Sequence, residues 1–554
     1  MNKAVRILAF LFFLSVVCIA TAQKPTCYRI YLTDKANSPF TVDNPSAFLS
    51  QRATDKRTRF SIPITEQDFP VNPNYVSQIK NVDDSIQILS TSKWMNTVTI
   101  YCPDSSKILH LQGFDFVGDI LPVASYRLLA PTELAIQDVG SGADAVFSQT
   151  NQKSVDYGIG DSQIRFNNGQ YLHDAGFRGE GMLIAVIDGG WYGVESCEFY
   201  NNMLSENRFA GKFSLMPHFV DTLENPYSEL HGTIVTSVMA ADEPGSLVGT
   251  APKASYAFIH SEYVATEELI EEDFWARAAE IADSIGADVV NSSLGYTTYD
   301  DFPQANTDYS TFDGQHSIAS LCATILAHKG VIVCVAVGND GANEWHHIGK
   351  PSDAFDILSV GACRSDSTIA IFSSCGYTSD GRVKPDVCAV GVNTGCVYPF
   401  NNYNFSNGTS LATPVISGLC ACLWQALPEY SALDIMQKIR EGSSQFGTPD
   451  SVYGYGIPDF YAVYKQYLGV GIHSHSLSVF PNPTDGIFNI QLAKDVEISN
   501  IMVYDLQGRV VVVNKKSETP NSASLNIGFL PAGIYILQVS DSNRNQYHYK
   551  IVKR

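Results

Sequence analysis

The sequence predicts an α/β protein built on a doubly wound, mostly parallel sheet, with an α+β domain before it and a β-sandwich after it. Two observations carry the central part. First, apolar runs recur without alternation: Met182–Ile187 before Asp188-Gly189-Gly190, Asp288–Ser293 before Leu294-Gly295, and Val331–Val337 before Gly338-Asn339. A run without period-two alternation is a strand covered on both faces, as in a parallel sheet. Second, helical stretches fall between these runs, at Glu267–Ile285 and His316–His328. Strand alternating with helix gives the doubly wound arrangement, whose ligands sit beyond the carboxyl ends of the strands. Asp188 and Asn339 stand at such ends.

The other segments flank that core. Residues 1–22 have the anatomy of a signal peptide: Lys3 and Arg6, then an apolar stretch from Ile7 to Ile19, then a small-x-small site at Ala20-Thr21-Ala22. The stretch is shorter than the roughly 20 residues that cross a bilayer. Residues 23–125 place short β-like runs (Tyr28–Leu32, Thr97–Tyr101) among polar helical stretches, in a β-α-β-β-α-β rhythm. Residues 126–156, rich in Gly, Ser, Ala and Asp, read as a linker. The strand–helix core occupies 157–468, a hinge 469–476, and 477–554 are short strands with Gly turns, which predict the sandwich.

Composition narrows the function. Of 554 residues, 45% are hydrophobic and 17% charged, which excludes a disordered chain. The formal net charge is −21, and a chain with no sizeable basic run lacks what neutralises phosphate, so no nucleic-acid partner is expected. The charge is uneven: net 0 over residues 1–150, −23 over 151–470 and +2 over the rest. Eleven cysteines follow Cys18 of the signal segment. An odd number leaves at least one thiol free or paired between molecules. Cys27 with Cys102, and Cys363 with Cys375, are pairs the spacing leaves open; Cys334, Cys420 and Cys422 read as small buried hydrophobes.

Three polar segments combine into one catalytic expectation. Asp188 closes its strand before two glycines. His231-Gly232-Thr233 opens a buried helical run, and Gly408-Thr409-Ser410-Leu411-Ala412-Thr413-Pro414 opens another. Ser410 would lie at a helix start, where outward backbone N–H groups favour developing negative charge. A serine hydroxyl attacks only when a base takes its proton; His231 is that base, and a buried Asp188 fixes its tautomer and stabilises the imidazolium. Asn339 offers a side-chain donor to an oxyanion, with the Ser410 N–H as the second.

These residues resemble the subtilisin-like serine endopeptidases, peptidase family S8. The order Asp, His, Ser is that of subtilisin. Ala185-Val186-Ile187-Asp188, His231–Val235, Ser293-Leu294-Gly295, Ala336–Asn339, Lys384–Val387 and Gly408–Pro414 all match, across about 310 residues. The resemblance implies a subtilisin-like sheet, with Asp188, His231, Ser410 and Asn339 as catalytic residues and Ser293, Leu294 and Gly295 as the substrate-binding segment. It implies protein or peptide substrates and no cofactor for the chemistry. Departures are visible too. Gly-Gly follows the aspartate where the family more often has a hydroxyl residue and then Gly. Leu411 replaces the usual Met. Cys197 stands where many relatives have a calcium-binding aspartate, and the Ala241–Val248 loop looks short, so structural calcium is not supported. Asp340 at the cleft would favour a basic substrate residue, but an acidic surface is the blander explanation of its charge.

The flanks fit the same family. Residues 23–125 resemble its propeptide, an intramolecular inhibitor, with the processing site in the 126–156 linker. Residues 477–554, through Val479–Gly486, Ile501–Val510 and Leu530–Val539, resemble the C-terminal sorting domain of the type IX secretion system of Bacteroidetes. That implies passage through the periplasm and across the outer membrane by the type IX machinery, to the medium or the cell surface. The expectation is a zymogen that works as a monomer. The competing reading is a surface or adhesion protein that keeps the fold without turnover. Glu344-Trp345-His346-His347 and His473-Ser474-His475 lack the spacing of a zinc protease.

Overall fold

The computed structural model describes residues 26–125, 155–216, 230–262, 267–300, 308–467, 477–492, 497–505, 509–514, 520–542 and 546–554. The expected signal segment, the hinge and all but the end of the processing linker lie outside these residues. The chain forms two compact units, one comprising residues 1–425 and 430–458, the other residues 426–429 and 459–554.

The first unit begins with a four-stranded antiparallel sheet. Its strands are β1 (Cys27–Leu32), β2 (Gln87–Ser92), β3 (Thr97–Tyr101) and β4 (Val117–Ala124), in the order β2-β3-β1-β4. Helices α1 (Gln51–Arg59) and α2 (Pro73–Lys80) both lie between β1 and β2, and α3 (Ser106–Leu111) precedes β4. The rhythm is therefore β-α-α-β-β-α-β, one helix more than the sequence suggested, because Pro73 opens a new helix capped by Asn72. Period two sorts β1 cleanly. Tyr28, Ile30 and Leu32 enter this domain's own core with Ile79, Val98 and Ile100, while Cys27 and Arg29 point the other way.

The central sheet has seven parallel strands: β5 (Leu183–Asp188), β6 (Phe209–Ser214), β7 (Ser255–His260), β8 (Val289–Ser292), β9 (Ile332–Ala336), β10 (Leu358–Cys363) and β11 (Val387–Val390), ordered β11-β10-β9-β8-β5-β7-β6. Every residue of β5, β8, β9, β10 and β11 is buried, as the unbroken apolar runs require. Helices α4 (His231–Ala240), α5 (Glu271–Ile285), α6 (Ile318–His328) and α7 (Thr409–Ala426) accompany it.

The outward face of the small sheet lies on α5. Arg29 forms a bidentate pair with Asp273 at 2.8 and 2.6 Å. Arg57 and Lys93 reach Asp283 at 2.7 and 2.9 Å, Ser92 donates to Glu280 at 2.6 Å, and Lys329 answers Asp68 in the opposite sense at 2.9 Å. Asp273, Glu280 and Asp283, seven and ten residues along from the first, share one stripe of the helix and are at most 2% exposed. Gly286 ends α5 in the left-handed conformation, φ +81°. A β-carbon there would stand 2.8 Å from the Ala53 nitrogen, so glycine lets α1 approach. The Ser50 N–H, at the start of α1, accordingly donates to the Ser284 carbonyl at 2.8 Å.

All eleven cysteines from Cys27 to Cys422 carry free thiols; neither pair left open by spacing forms. Cys363 instead neighbours Cys388, and Cys334 neighbours Cys420, as buried thiol contacts.

The second unit holds two antiparallel sheets. One contains Leu477–Phe480, Ile487–Leu492 and Ser522–Asn526; the other contains Ile498–Tyr504, Val510–Asn514, Gly533–Asp541 and Gln546–Lys553. A single buried cluster draws Phe488, Ile490 and Leu525 from the first and Ile501, Val503, Leu537 and Val539 from the second, which is how a sandwich is held together. Among the described residues no helix is long and apolar enough to cross a membrane.

Candidate active site

The carboxyl ends of β5, β8 and β9 and the starts of α4 and α7 carry the expected residues, in two hydrogen-bonded groups: Asp188 with His231, and Ser410 with Ser293, next to the Thr409–Asn339 contact. Asp188 ends β5 and is fully buried. Its Oδ1 accepts the Gly189 N–H at 2.8 Å and lies 2.7 Å from His231 Nδ1. His231 opens α4, placed there by Gly232. The Gly232 N–H donates to the Gly190 carbonyl at 2.9 Å, and a β-carbon on Gly232 would meet that oxygen at 2.5 Å and the Trp191 ring at 2.8 Å. Only glycine lets the helix start reach the Asp188 turn. Trp191 is held in turn, its Nε1 donating to Thr236 Oγ1 at 3.0 Å and its ring stacked on Phe258.

Burial alone would pull the His231 pKa down; the charge and hydrogen bond of Asp188 outweigh it and leave the imidazole above its usual value. Its Nε2 has no hydrogen-bond partner among the described residues. Asp188 Oδ2 is also buried without one. The Gly-Gly noted in the sequence has that consequence: a hydroxyl residue after the aspartate would bring a donor, and Gly189 brings only its backbone.

Ser410 is the second residue of α7 and 8% exposed. Gly408 precedes it at φ +149°, a backbone that suits glycine. The Ser410 hydroxyl donates to the Ser293 carbonyl at 3.2 Å and not to His231. Asn339 follows β9 by three residues; its Oδ1 accepts the Thr409 N–H at 2.9 Å and the Thr409 hydroxyl at 3.1 Å. That fixes the amide so that Nδ2 points elsewhere, with no partner among the described residues, on an exposed residue beside Gly408. Ser293, Leu294 and Gly295 continue from β8 and pass from buried to exposed, with Ser293 Oγ donating to the Ser410 carbonyl at 3.0 Å.

Other features were not legible in the sequence. His260 lies in register with Asp188 on β7, and burial holds its pKa below the usual value. With Trp191, Tyr192 and Lys212 it lines a cleft of about 450 Å³ that begins two residues after Asp188. Among the described residues, one set of three carboxylates, Glu262, Glu267 and Glu271, brings an oxygen from each within 4.8 Å of the others, a spacing that suits a hard cation. Burial raises the pKa of Glu262 well above the usual value and that of Glu267 to about 7. Trp345 and His347 pack on Tyr309, so the Glu344–His347 segment is an aromatic cluster. His473 and His475 lie outside the described residues. Cys197 Sγ sits against the carbonyls of Gly193 and Tyr398, a contact of a buried thiol. Asp340 accepts from Asn343 at 2.8 Å, and its backbone N–H donates to the Ser374 hydroxyl at 3.0 Å.

Comparison with known proteins decides the family. The model of the subtilase family, peptidase S8, matches residues 179–456, half of the chain. The chain belongs to the subtilase family. The peptidase S8 propeptide domain of Bacteroidota matches residues 27–134, and a secretion system C-terminal sorting domain matches residues 478–554. Subtilisin E of Bacillus subtilis is 28% identical over 310 residues, 55% of this chain and 70% of its own. The subtilisin of Bacillus pumilus is 28% identical over 310 residues, 97% of its length. M-protease of Shouchella clausii is 26% identical over 413 residues, 74% of this chain and 93% of its own. This subtilase is thus a serine endopeptidase with a propeptide and a type IX sorting domain, exported to the cell surface or the medium.

Proposed function

We propose that this subtilase hydrolyses peptide bonds in proteins through an acyl-enzyme on Ser410. His231 Nε2 takes the proton of the Ser410 hydroxyl as Oγ attacks the scissile carbonyl carbon. Asp188 holds the Nδ1–H tautomer and stabilises the imidazolium. The negative oxygen of the tetrahedral intermediate is met by Asn339 Nδ2 and the Ser410 N–H. The C–N bond breaks, the amine leaves with the proton from His231, and water then cleaves the ester by the same steps in reverse. Ser293, Leu294 and Gly295 hold the substrate backbone. The observation that carries the reading is the 2.7 Å contact between His231 Nδ1 and the buried Asp188 carboxylate, with Nε2 left without a partner among the described residues. No cofactor takes part in these steps.

The sheet-and-helix domain of residues 23–125, seated on α5, acts as an intramolecular inhibitor until the chain is cut within 126–156, and the mature enzyme works as a monomer. The test is Ser410→Ala expressed as the full chain. It should accumulate with the propeptide uncut and lose hydrolysis of a denatured protein substrate by about 10⁶-fold. A Ser410→Ala chain that matured and cleaved at the wild-type rate would overturn the reading and favour another nucleophile.

A further inference from the structure

Four residues after Ser410, helix α7 contains Pro414. In a regular helix the N–H of residue 414 would bond the carbonyl of residue 410. Proline has no N–H, so the Ser410 carbonyl loses its helical partner. The Ser293 hydroxyl takes the vacant place, at 3.0 Å. Ser293 Oγ accepts from Asn291 Nδ2 at 3.2 Å, and Asn291 Oδ1 accepts from the Ser417 hydroxyl at 2.9 Å. Ser417 lies one helical turn beyond Pro414's neighbour Thr413, whose carbonyl is 3.0 Å from the same hydroxyl.

The three donors run head to tail, Ser417 to Asn291 to Ser293 to the Ser410 carbonyl, so each bond polarises the next. Asn291 and Ser417 are fully buried and Ser293 is 6% exposed; no water is needed to complete the chain. The Ser410 hydroxyl returns a bond to the Ser293 carbonyl at 3.2 Å. The end of the substrate-side strand and the start of the Ser410 helix are thereby tied by two reciprocal bonds, one of them to a carbonyl that Pro414 cannot serve.

We propose that Ser417, Asn291 and Ser293 form a positioning relay that fixes the main chain of Ser410. The proposal rests on the reading of Ser410 as the nucleophile. The relay touches neither the His231–Asp188 pair nor the Asn339 amide. Its loss should therefore slow acylation through misplacement of Oγ, for which a shift of about 1 Å is worth about 100-fold, and leave the pH response of His231 alone.

The test uses the mature enzyme and a double-mutant cycle at positions 293 and 414. Ser293→Ala should lower kcat by about 10- to 100-fold with KM within twofold and an unchanged pH midpoint. Ser417→Ala, which removes only the far donor, should lower kcat less, in the same pattern. Pro414→Ala restores an N–H that can bond the Ser410 carbonyl, so Ser293→Ala should cost several-fold less in that background. The relay is overturned if Ser293→Ala and Ser417→Ala both keep wild-type kcat, if they raise KM alone, or if Ser293→Ala costs as much beside Ala at 414 as beside Pro. A wild-type enzyme that a fluorophosphonate does not label at Ser410 would instead remove the reading of the nucleophile itself, and the relay with it.

Discussion

At the residue scale, the pairing of His231 with Asp188 sets the pH response. The base works only when neutral, and its pKa is raised, so kcat/KM should rise with pH through a midpoint above the ordinary histidine value of about 6.5. Asp188→Asn removes the charge that outweighs burial. Its pH–rate profile should shift its midpoint downward while kcat falls by about 10⁴-fold; an upward shift would contradict the account. Asn339→Leu should lower kcat by about 10²- to 10³-fold with little change in KM, measured with a peptide amide substrate. Asp188, His231, Asn339 and Ser410 could be singled out in the sequence because the chemistry demands fixed residue types at strand ends and helix starts. Asn291 and Ser417 were not: inside buried runs, they read as core until the coordinates put them in line. Gly232 was visible within His-Gly-Thr, but its reason, the Trp191 ring and the Gly190 carbonyl beside it, involves residues some forty positions away.

At the element scale, helix α5 faces two ways. The sequence read this segment only as a helix, and nothing in it singled out the acidic stripe. Asp273, Glu280 and Asp283 are each answered by a propeptide group that lies 174 to 244 positions away, a separation no local pattern reveals. The apolar part of the same contact packs Cys27, Leu89, Tyr101, Val123 and Ala124 with Met216, Ile270 and Phe274, and Phe60 on Trp424. The buried charge pairs add to that apolar contact. Burial would raise the pKa of Asp283; Lys93 and Arg57 outweigh it and bring it below the usual value. Removing one partner of a buried pair costs about 3–5 kcal/mol. Asp283→Asn should thus weaken retention of the cleaved propeptide by about two to four powers of ten, read from its co-elution with the catalytic body. Retention equal to wild type would place the grip elsewhere.

At the scale of the whole molecule, parallel strands, flanking helices and both end domains were legible, because apolar runs and turn residues are local signals. The free state of all eleven described cysteines was not, since pairing depends on distances between distant segments. The acidity of residues 151–470 also gains a structural meaning: part of it is neutralised by propeptide cations, and removal of that domain would uncover it and favour dispersal. Inside the body, Asp386 joins Lys384 and Arg440, each at 2.8 Å, to the Ser359 backbone. Burial opposes its charge, yet the two cations hold its pKa below the usual carboxylate range. Its contribution is therefore complete above about pH 4 and lost as pH falls through the lowered value. Asp386→Asn should lower the thermal midpoint at pH 7, and the gap from wild type should close in strong acid; a gap that widened there would contradict this.

The central claim is that Ser410 is the nucleophile. The most direct measurement is fluorophosphonate labelling of the mature enzyme followed by peptide mapping. The account predicts one adduct, on the peptide that carries Ser410, absent from Ser410→Ala and strongly reduced in His231→Ala. An adduct on another serine, or an unlabelled enzyme that still cleaves protein, would contradict it.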